Sequence, residues 1–290
     1  MTPLILGLPK GSLQEATFAM MRKAGFNLSV GSRSYIPTCD DPELKCRLLR
    51  PQEIPRYVEL GLLDSGITGY DWIYENNADV VEVCEMCYSK ATSNPVRWVI
   101  AVPNDSPIQT VQDLNGKRIS SEAVGLTRRY LEAHGVKAEV EFSWGATEVK
   151  APELVDAIVD LTETGSSLRA NNLRILATIL ESTTRLIANK KAWEDPGKRA
   201  KLEQIAMLMT GALQAESRVL LKMNVPADKL YPVVGILPAL HTPTVNALNS
   251  EGWHAVESVV EEAKVRDLVP KLRAAGAEGI IELPLNKIIF

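Results

Sequence analysis

The stretch Asp160-Leu-Thr-Glu-Thr-Gly-Ser-Ser-Leu168 combines residue types that suit a sugar phosphate. It follows the apolar run Leu154-Val-Asp-Ala-Ile-Val159. A buried strand is therefore expected to deliver an acidic residue, then a Thr-Gly-Ser-Ser turn, then a helix beginning near Leu168. Gly165 lets the backbone approach a ligand closely, and the hydroxyls of Thr164, Ser166 and Ser167 donate hydrogen bonds. The N–H groups opening the helix would face a phosphate whose charge the helix dipole favours. Asp160 and Glu163 would accept from ribose hydroxyls or help to hold a divalent cation. An N-capped helix with no ligand is the plain alternative, since Thr and Ser are common caps.

Metal and redox chemistry have weaker support. Cys84-Glu-Met-Cys87 has the spacing of half a zinc site, but no second closely spaced pair follows. Cys39 and Cys46 could complete such a site in space, and His134, His241 and His254 are remote from one another in sequence. Thiols that serve packing fit a reducing compartment better, so no structural metal is expected.

Elements that position the phosphate motif come from a chain of 290 residues, 46% hydrophobic and 23% charged, enough for a sizeable core and about two domains. A net charge of −4 with no dominant basic face argues against nucleic acid. The basic stretch from Lys190 to Lys201 is interrupted by Glu194 and Asp195 and reads as a solvated segment. No apolar run approaches 18 residues and the N-terminus lacks a signal pattern, so a cytoplasmic protein without membrane spans is expected.

Short apolar strands alternate with helical stretches over the first 180 residues, which predicts an α/β fold with mainly parallel sheets. Leu4–Leu8, Arg47–Arg50 and Ser65–Asp71 read as strands or strand and turn, with helices near 13–24 and 54–60. A second lobe begins at Arg97-Trp-Val-Ile-Ala-Val102 and continues through Val111–Leu114, Gly116–Ser120, a helix at 126–134 and strands near 140–143 and 157–161. Residues 174–180 and 184–189 read as strands carrying the chain back. Residues 1–96, completed by about 180–212, therefore form lobe I and residues 97–179 lobe II, with a cleft between them as the expected ligand site. In residues 198–216, Leu202, Ile205, Met209 and Leu213 make an apolar stripe for core packing. From 213 to 290 the order is β-α-β-β-α-β, a ferredoxin-like (ACT-like) regulatory domain, with a kink or a late helix start expected at Pro270.

Four stretches together resemble ATP phosphoribosyltransferase of the long form: Leu8-Pro-Lys-Gly-Ser-Leu13, Leu49-Arg-Pro-Gln-Glu-Ile54, Leu63-Asp-Ser-Gly-Ile-Thr-Gly-Tyr-Asp71 and Val159 through Asn172. The resemblance covers nearly the whole chain. It implies a two-lobed body like that of periplasmic binding proteins and a C-terminal histidine-sensing domain. The implied reaction is attack of adenine N1 of ATP on C1 of phosphoribosyl pyrophosphate (PRPP), with Mg²⁺ and release of pyrophosphate, at the first step of histidine biosynthesis.

By the same resemblance, Lys10 and Arg50 are catalytic, and Asp160, Glu163, Thr164, Gly165, Ser166 and Ser167 bind PRPP. Gly11, Leu13, Gly69 and Asp71 border ATP, and Glu148 with Glu122 are acidic, Mg²⁺-linked candidates. Leu237, His241 and Thr244 line the pocket for inhibitory histidine, with AMP as a candidate second inhibitor and homo-oligomers from dimers to hexamers. Lys10 in a strand-to-helix turn suits a phosphate, and Arg50 offers a bidentate fork, a surface salt bridge being its alternative.

Two departures stand out. The segment between Glu148 and Asp156 is one residue short and lacks an expected glycine, and Ala123-Val-Gly125 replaces an aromatic–proline–asparagine run. Rival readings are a solute receptor or sensor domain, and a phosphoribosyltransferase acting on another nucleophile. The latter group carries adjacent acidic residues before its Thr-Gly turn, whereas Leu161-Thr162 separates Asp160 from Glu163 here.

Overall fold

A computed structural model describes residues 2–88, 94–240 and 242–290. The chain divides into two compact units, Met1–Arg22 with Phe26–Ala206, and Lys23–Gly25 with Met207–Phe290.

The first unit holds two five-stranded sheets. Lobe I contains β1 (Leu4–Pro9), α1 (Gln14–Ala24), a small ribbon of β2 (Leu28–Ser29) and β3 (Thr38–Cys39), β4 (Leu44–Leu49), α2 (Ile54–Glu59), β5 (Ser65–Gly69), α3 (Tyr70–Asn76) and β6 (Val81–Met86). Lobe II contains β7 (Val96–Pro103), β8 (Arg118–Ser121), α4 (Val124–Ala133), β9 (Glu139–Phe142), β10 (Ala157–Thr162), α5 (Ser166–Ala170) and β11 (Leu173–Ser182). The chain then returns to lobe I through β12 (Thr184–Ala188), followed by α6 (Lys190–Glu194) and α7 (Pro196–Glu216).

The strand orders are β4-β1-β5-β12-β6 and β11-β7-β10-β8-β9. Each sheet is mainly parallel, with one strand opposed to the rest: β12 runs against β5 and β6, and β7 against β10 and β11. These opposed strands are the ones that enter each lobe directly from the other. Two α/β sheets joined in this way form the two-lobed body of the periplasmic-binding-protein type.

Strands β1 and β10 are buried runs, as covered parallel sheets require. Leu4, Leu6 and Leu8 are enclosed in lobe I, and Ala157, Ile158 and Val159 in lobe II. Successive residues of β10 serve opposite faces. Ala157 and Val159 join the core with Trp98 and Ile119, while Ile158 packs with Val155, Leu168 and Leu173. Val111–Leu114 is a 3₁₀ turn rather than a continuation of the sheet, because Thr110 and Asp113 form a capping box at its start. In α7, Leu202, Ile205 and Met209 are fully buried, and Leu213 is half-buried.

The second unit contains β13 (Arg218–Pro226), α8 (Leu230–Ile236), β14 (Thr244–Ala247), β15 (Trp253–Glu261), α9 (Glu262–Ala274) and β16 (Glu278–Pro284). Its antiparallel sheet has the order β14-β15-β13-β16, the ferredoxin-like arrangement. Alternate residues Val219, Leu221, Met223 and Val225 pack against Val233, Val265, Leu268 and Leu272 from the helices. Helix α9 starts at Glu262, ahead of the expected position, and continues through Pro270. Burial of Leu268 and Leu272 on either side of the proline offsets its missing N–H bond.

Candidate active site

Within the first unit a cleft of about 410 Å³ opens between the lobes. Lobe I contributes Ser12, Leu13, Pro51 and Gly69, and lobe II contributes Leu161, Thr162, Glu163 and Ser167. Of the residues singled out in the sequence, Leu13, Gly69, Asp71, Glu163 and Ser167 line it directly. Lys10, Gly11 and Arg50 lie one or two residues from lining positions, Asp160 precedes Leu161, and Thr164 to Ser166 fall between Glu163 and Ser167.

The lobe I rim is cationic. Parallel pairing of β1 with β4 places Pro9 opposite Leu49, and the Lys10 N–H donates to the Leu49 carbonyl at 2.7 Å. Lys10 and Arg50 therefore leave neighbouring strand ends together. Gly11 has φ +112°, open to glycine, and a Cβ there would stand 3.5 Å from the Arg50 guanidinium. The Lys10 ammonium sits 3.7 Å from the centre of the Tyr35 ring.

The lobe II rim is acidic. Burial, with the charges of Glu148 and Glu122, raises the Asp160 carboxyl to about 6, although it accepts a hydrogen bond from the Leu161 N–H. Glu148 lies in a 3₁₀ turn over Thr147–Val149, after Gly145 and Ala146 in left-handed conformations. Glu122 accepts from Gln52 Nε2 of lobe I at 2.9 Å.

The Thr-Gly-Ser-Ser loop is tighter than its sequence suggests. Gly165 adopts φ +72°, and its N–H donates to Thr162 Oγ1 at 2.7 Å. Thr164 Oγ1 donates to Ser166 Oγ at 3.1 Å, and Arg169 Nη1 donates to the Thr164 carbonyl at 2.9 Å. Helix α5 begins at Ser166, ahead of Leu168, and has only five residues. Its dipole is correspondingly small, and the loop is shaped chiefly by its own hydroxyls, since the Gly165 and Ser166 N–H groups donate to Thr162 Oγ1 and Thr164 Oγ1.

Asp71 differs most from its expected setting. It lies in the first turn of α3, which begins directly after β5, and is 3% exposed. Trp98 Nε1 donates to one carboxyl oxygen at 2.7 Å and Ser182 Oγ to the other at 2.8 Å. Burial pushes its carboxyl upward while these bonds oppose the shift. Its carboxyl thus ties α3 to both strands at the lobe crossing, and Trp72 meets Trp98 edge to face at 5.7 Å. Gly69 is required because a Cβ would stand 2.0 Å from Asp71 Oδ1.

Sequence reading missed several contributors. Tyr88, Asn94, Val96 and Ser182–Thr184 line the cleft because both crossing segments pass its floor. Glu75 of lobe I accepts from the N–H groups of Gly125 and Leu126 at 2.8 and 2.6 Å, at the start of α4. This explains the departure at Gly125, where a Cβ would stand 3.1 Å from the Glu75 carboxylate. The signal was the glycine itself, but its partner lies 50 residues away.

Burial raises the Cys39, Cys46 and Cys87 thiols, Cys46 to about 12, which disfavours the thiolates that metals require. Among the described residues, no three His, Cys, Asp or Glu side chains converge as a metal cage. In the second unit, Leu237 is buried against the sheet and Thr244 opens the exposed β14. His241 lies outside the described residues. Among the described residues no helix is long and apolar enough to cross a membrane.

Comparison with known proteins fits this geometry. A family model for ATP phosphoribosyltransferase matches residues 50–211, and one for the C-terminal domain of that family matches residues 215–287. The ATP phosphoribosyltransferase of Thermodesulfovibrio yellowstonii is 61% identical over 99% of this chain and 98% of its own. That of Desulforudis audaxviator is 62% identical over 99% of each. Among solved structures, a chain of the ATP phosphoribosyl transferase (HisG:HisZ) complex from Thermotoga maritima matches with a TM-score of 0.60 and 27% identity, covering 71% of this chain and 98% of its own. The chain belongs to the ATP phosphoribosyltransferase family, the phosphoribosyl transferases that use ATP and PRPP in histidine biosynthesis.

Proposed function

We propose that the cleft binds PRPP with its 5-phosphate on Thr164–Ser167, its ribose hydroxyls toward Asp160, and its pyrophosphate toward Lys10 and Arg50. The observation that carries this reading is the opposite charge of the two rims. As adenine N1 attacks C1, positive charge develops on the ribose and negative charge on the leaving pyrophosphate, so each end meets its complement. Glu163 and Ser167, which line the cleft, complete the PRPP side. Gly11, Leu13 and Gly69 border the ATP side, and Asp71 acts there by holding the wall, since both its oxygens already have donors.

A divalent cation fits the donor set. The charges of Glu148 and Glu122 act on the Asp160 carboxyl, and Mg²⁺ is commonly held by one or two carboxylates plus substrate phosphates rather than by an all-protein cage. Such an ion would neutralise charge on the departing pyrophosphate. Asp160 and Glu148 are the residues to hold it, with Glu122 fixed by Gln52 beside them.

We assign residues 213–290 as a regulatory domain, with Leu237, His241 and Thr244 at a site for inhibitory histidine and AMP as a second inhibitor. The enzyme works in the cytoplasm as a homo-oligomer, from dimer to hexamer. Histidine acts by favouring one subunit arrangement over another.

The test is pyrophosphate release and the adenine absorbance change on mixing protein, ATP, PRPP and Mg²⁺, with and without histidine. Turnover that needs all three and falls with histidine is expected. Turnover indifferent to Mg²⁺ removes the metal assignment, and turnover indifferent to histidine removes the regulatory one.

A further inference from the structure

We propose that Tyr35 is a positioning residue that holds the Lys10 ammonium at the cleft rim beside Arg50; this rests on the reading of Lys10 as a phosphate contact. Tyr35 is 57% exposed, so its ring face is open to the Lys10 side chain. The Lys10 Nζ lies 3.7 Å from its ring centre, within the range of a cation–π contact.

Both residues are tied to the end of one strand. The Leu48 N–H donates to the Tyr35 carbonyl at 2.8 Å, and the Lys10 N–H donates to the Leu49 carbonyl at 2.7 Å. Adjacent residues of β4 thus fix the backbones of the ring and of the cation. The loop bearing Tyr35 is shaped by Ser34, whose N–H donates to the Gly31 carbonyl at 2.9 Å and whose Oγ accepts from the Ile36 N–H at 3.1 Å.

A lysine on four rotatable bonds loses much of its freedom when it binds a phosphate, and a ring that already seats it reduces that loss. A carboxylate could seat it as well but would cancel its charge. An aromatic face holds the ammonium and leaves the charge available for the ligand.

The experiment compares the full chain with Y35F, Y35L, K10A and Y35L with K10A, varying PRPP at saturating ATP and Mg²⁺. Y35L is expected to lower kcat/KM for PRPP about fivefold, and Y35F, which keeps the ring, to stay within about twofold. In the K10A background, Y35L is expected to add no further loss. An equal loss from Y35L with and without Lys10, or no loss from Y35L while K10A is impaired, overturns the inference and leaves the role of Lys10 standing. Parental activity in K10A overturns the role of Lys10 itself. Thermal melting of each variant confirms folding, and Y35S repeats the comparison should Y35L aggregate.

Discussion

The two rims of the cleft are built in different ways. On lobe I, Lys10 and Arg50 leave neighbouring strand ends and their charges reach outward, one of them seated on an aromatic ring. On lobe II, Asp160 is half-buried, and its acidity is weakened chiefly by burial and further by the charges of Glu148 and Glu122. Cations can wait in solvent at little cost, whereas a half-buried carboxylate is held at some cost until a counter-charge arrives. The acidic side therefore stores unfavourable electrostatics that a cation or a developing oxocarbenium would relieve.

The largest expected effect breaks the cationic side. K10A with R50A should lower kcat/KM for PRPP by about 10²–10³-fold, the usual consequence of removing donors aimed at transition-state charge. Steady-state kinetics measures it, and a loss below threefold would place pyrophosphate elsewhere. Next, T164A with S167A should weaken PRPP binding by about 2–3 kcal/mol, at about 1 kcal/mol or more for each hydrogen bond to a charged group. Calorimetric titration checks this, and an unchanged affinity in the folded variant rejects the loop as the phosphate site.

D160N sharpens the other side of the comparison. The Asp160 carboxyl sits at about 6 against an ordinary 3.8, so its ionised form destabilises the fold. That penalty is absent below about pH 4, grows from pH 4 to 6 and is complete above 6. D160N should therefore be more stable than the parent at pH 8 by about 1–2 kcal/mol after solvent screening, with the gap closing by pH 4, while its activity falls. Melting curves across pH test it, and a gap that does not change with pH would remove the proposed penalty. The smallest effect concerns a tie between the lobes. E75A should cost about 1 kcal/mol in thermal stability, because the Gly125 and Leu126 N–H groups lose a charged cap. A melting temperature equal to the parent's would show that the lobes do not depend on it.

Strand positions were legible because each depends on a local apolar run: β1, β10 and β12 fall where the hydrophobic pattern puts them. The ferredoxin-like order was equally local, while the start of α9 was missed because burial of Leu268 and Leu272 overrides the proline's preference. At the cleft, the loop around Gly165 was visible from its turn chemistry. The work of Asp71 was not, since its partners Trp98 and Ser182 are 27 and 111 residues distant. Glu75 and Tyr35 were missed for related reasons: one caps a helix from another lobe, and the other is an ordinary exposed tyrosine until the lysine is seen upon it.

The placement of β12 has a consequence for synthesis. It lies between β5 and β6, and β6 meets the rest of its sheet through β12. Lobe II, in contrast, draws all five strands from one uninterrupted stretch, Val96 to Ser182. As the chain leaves the ribosome, lobe II has all its strands before lobe I does, and β6 waits more than 90 residues for its neighbour. Until Ala188 emerges, the edges of β5 and β6 are open to pairing with other nascent chains. The last strand of the body to be made is the one that closes the first lobe begun.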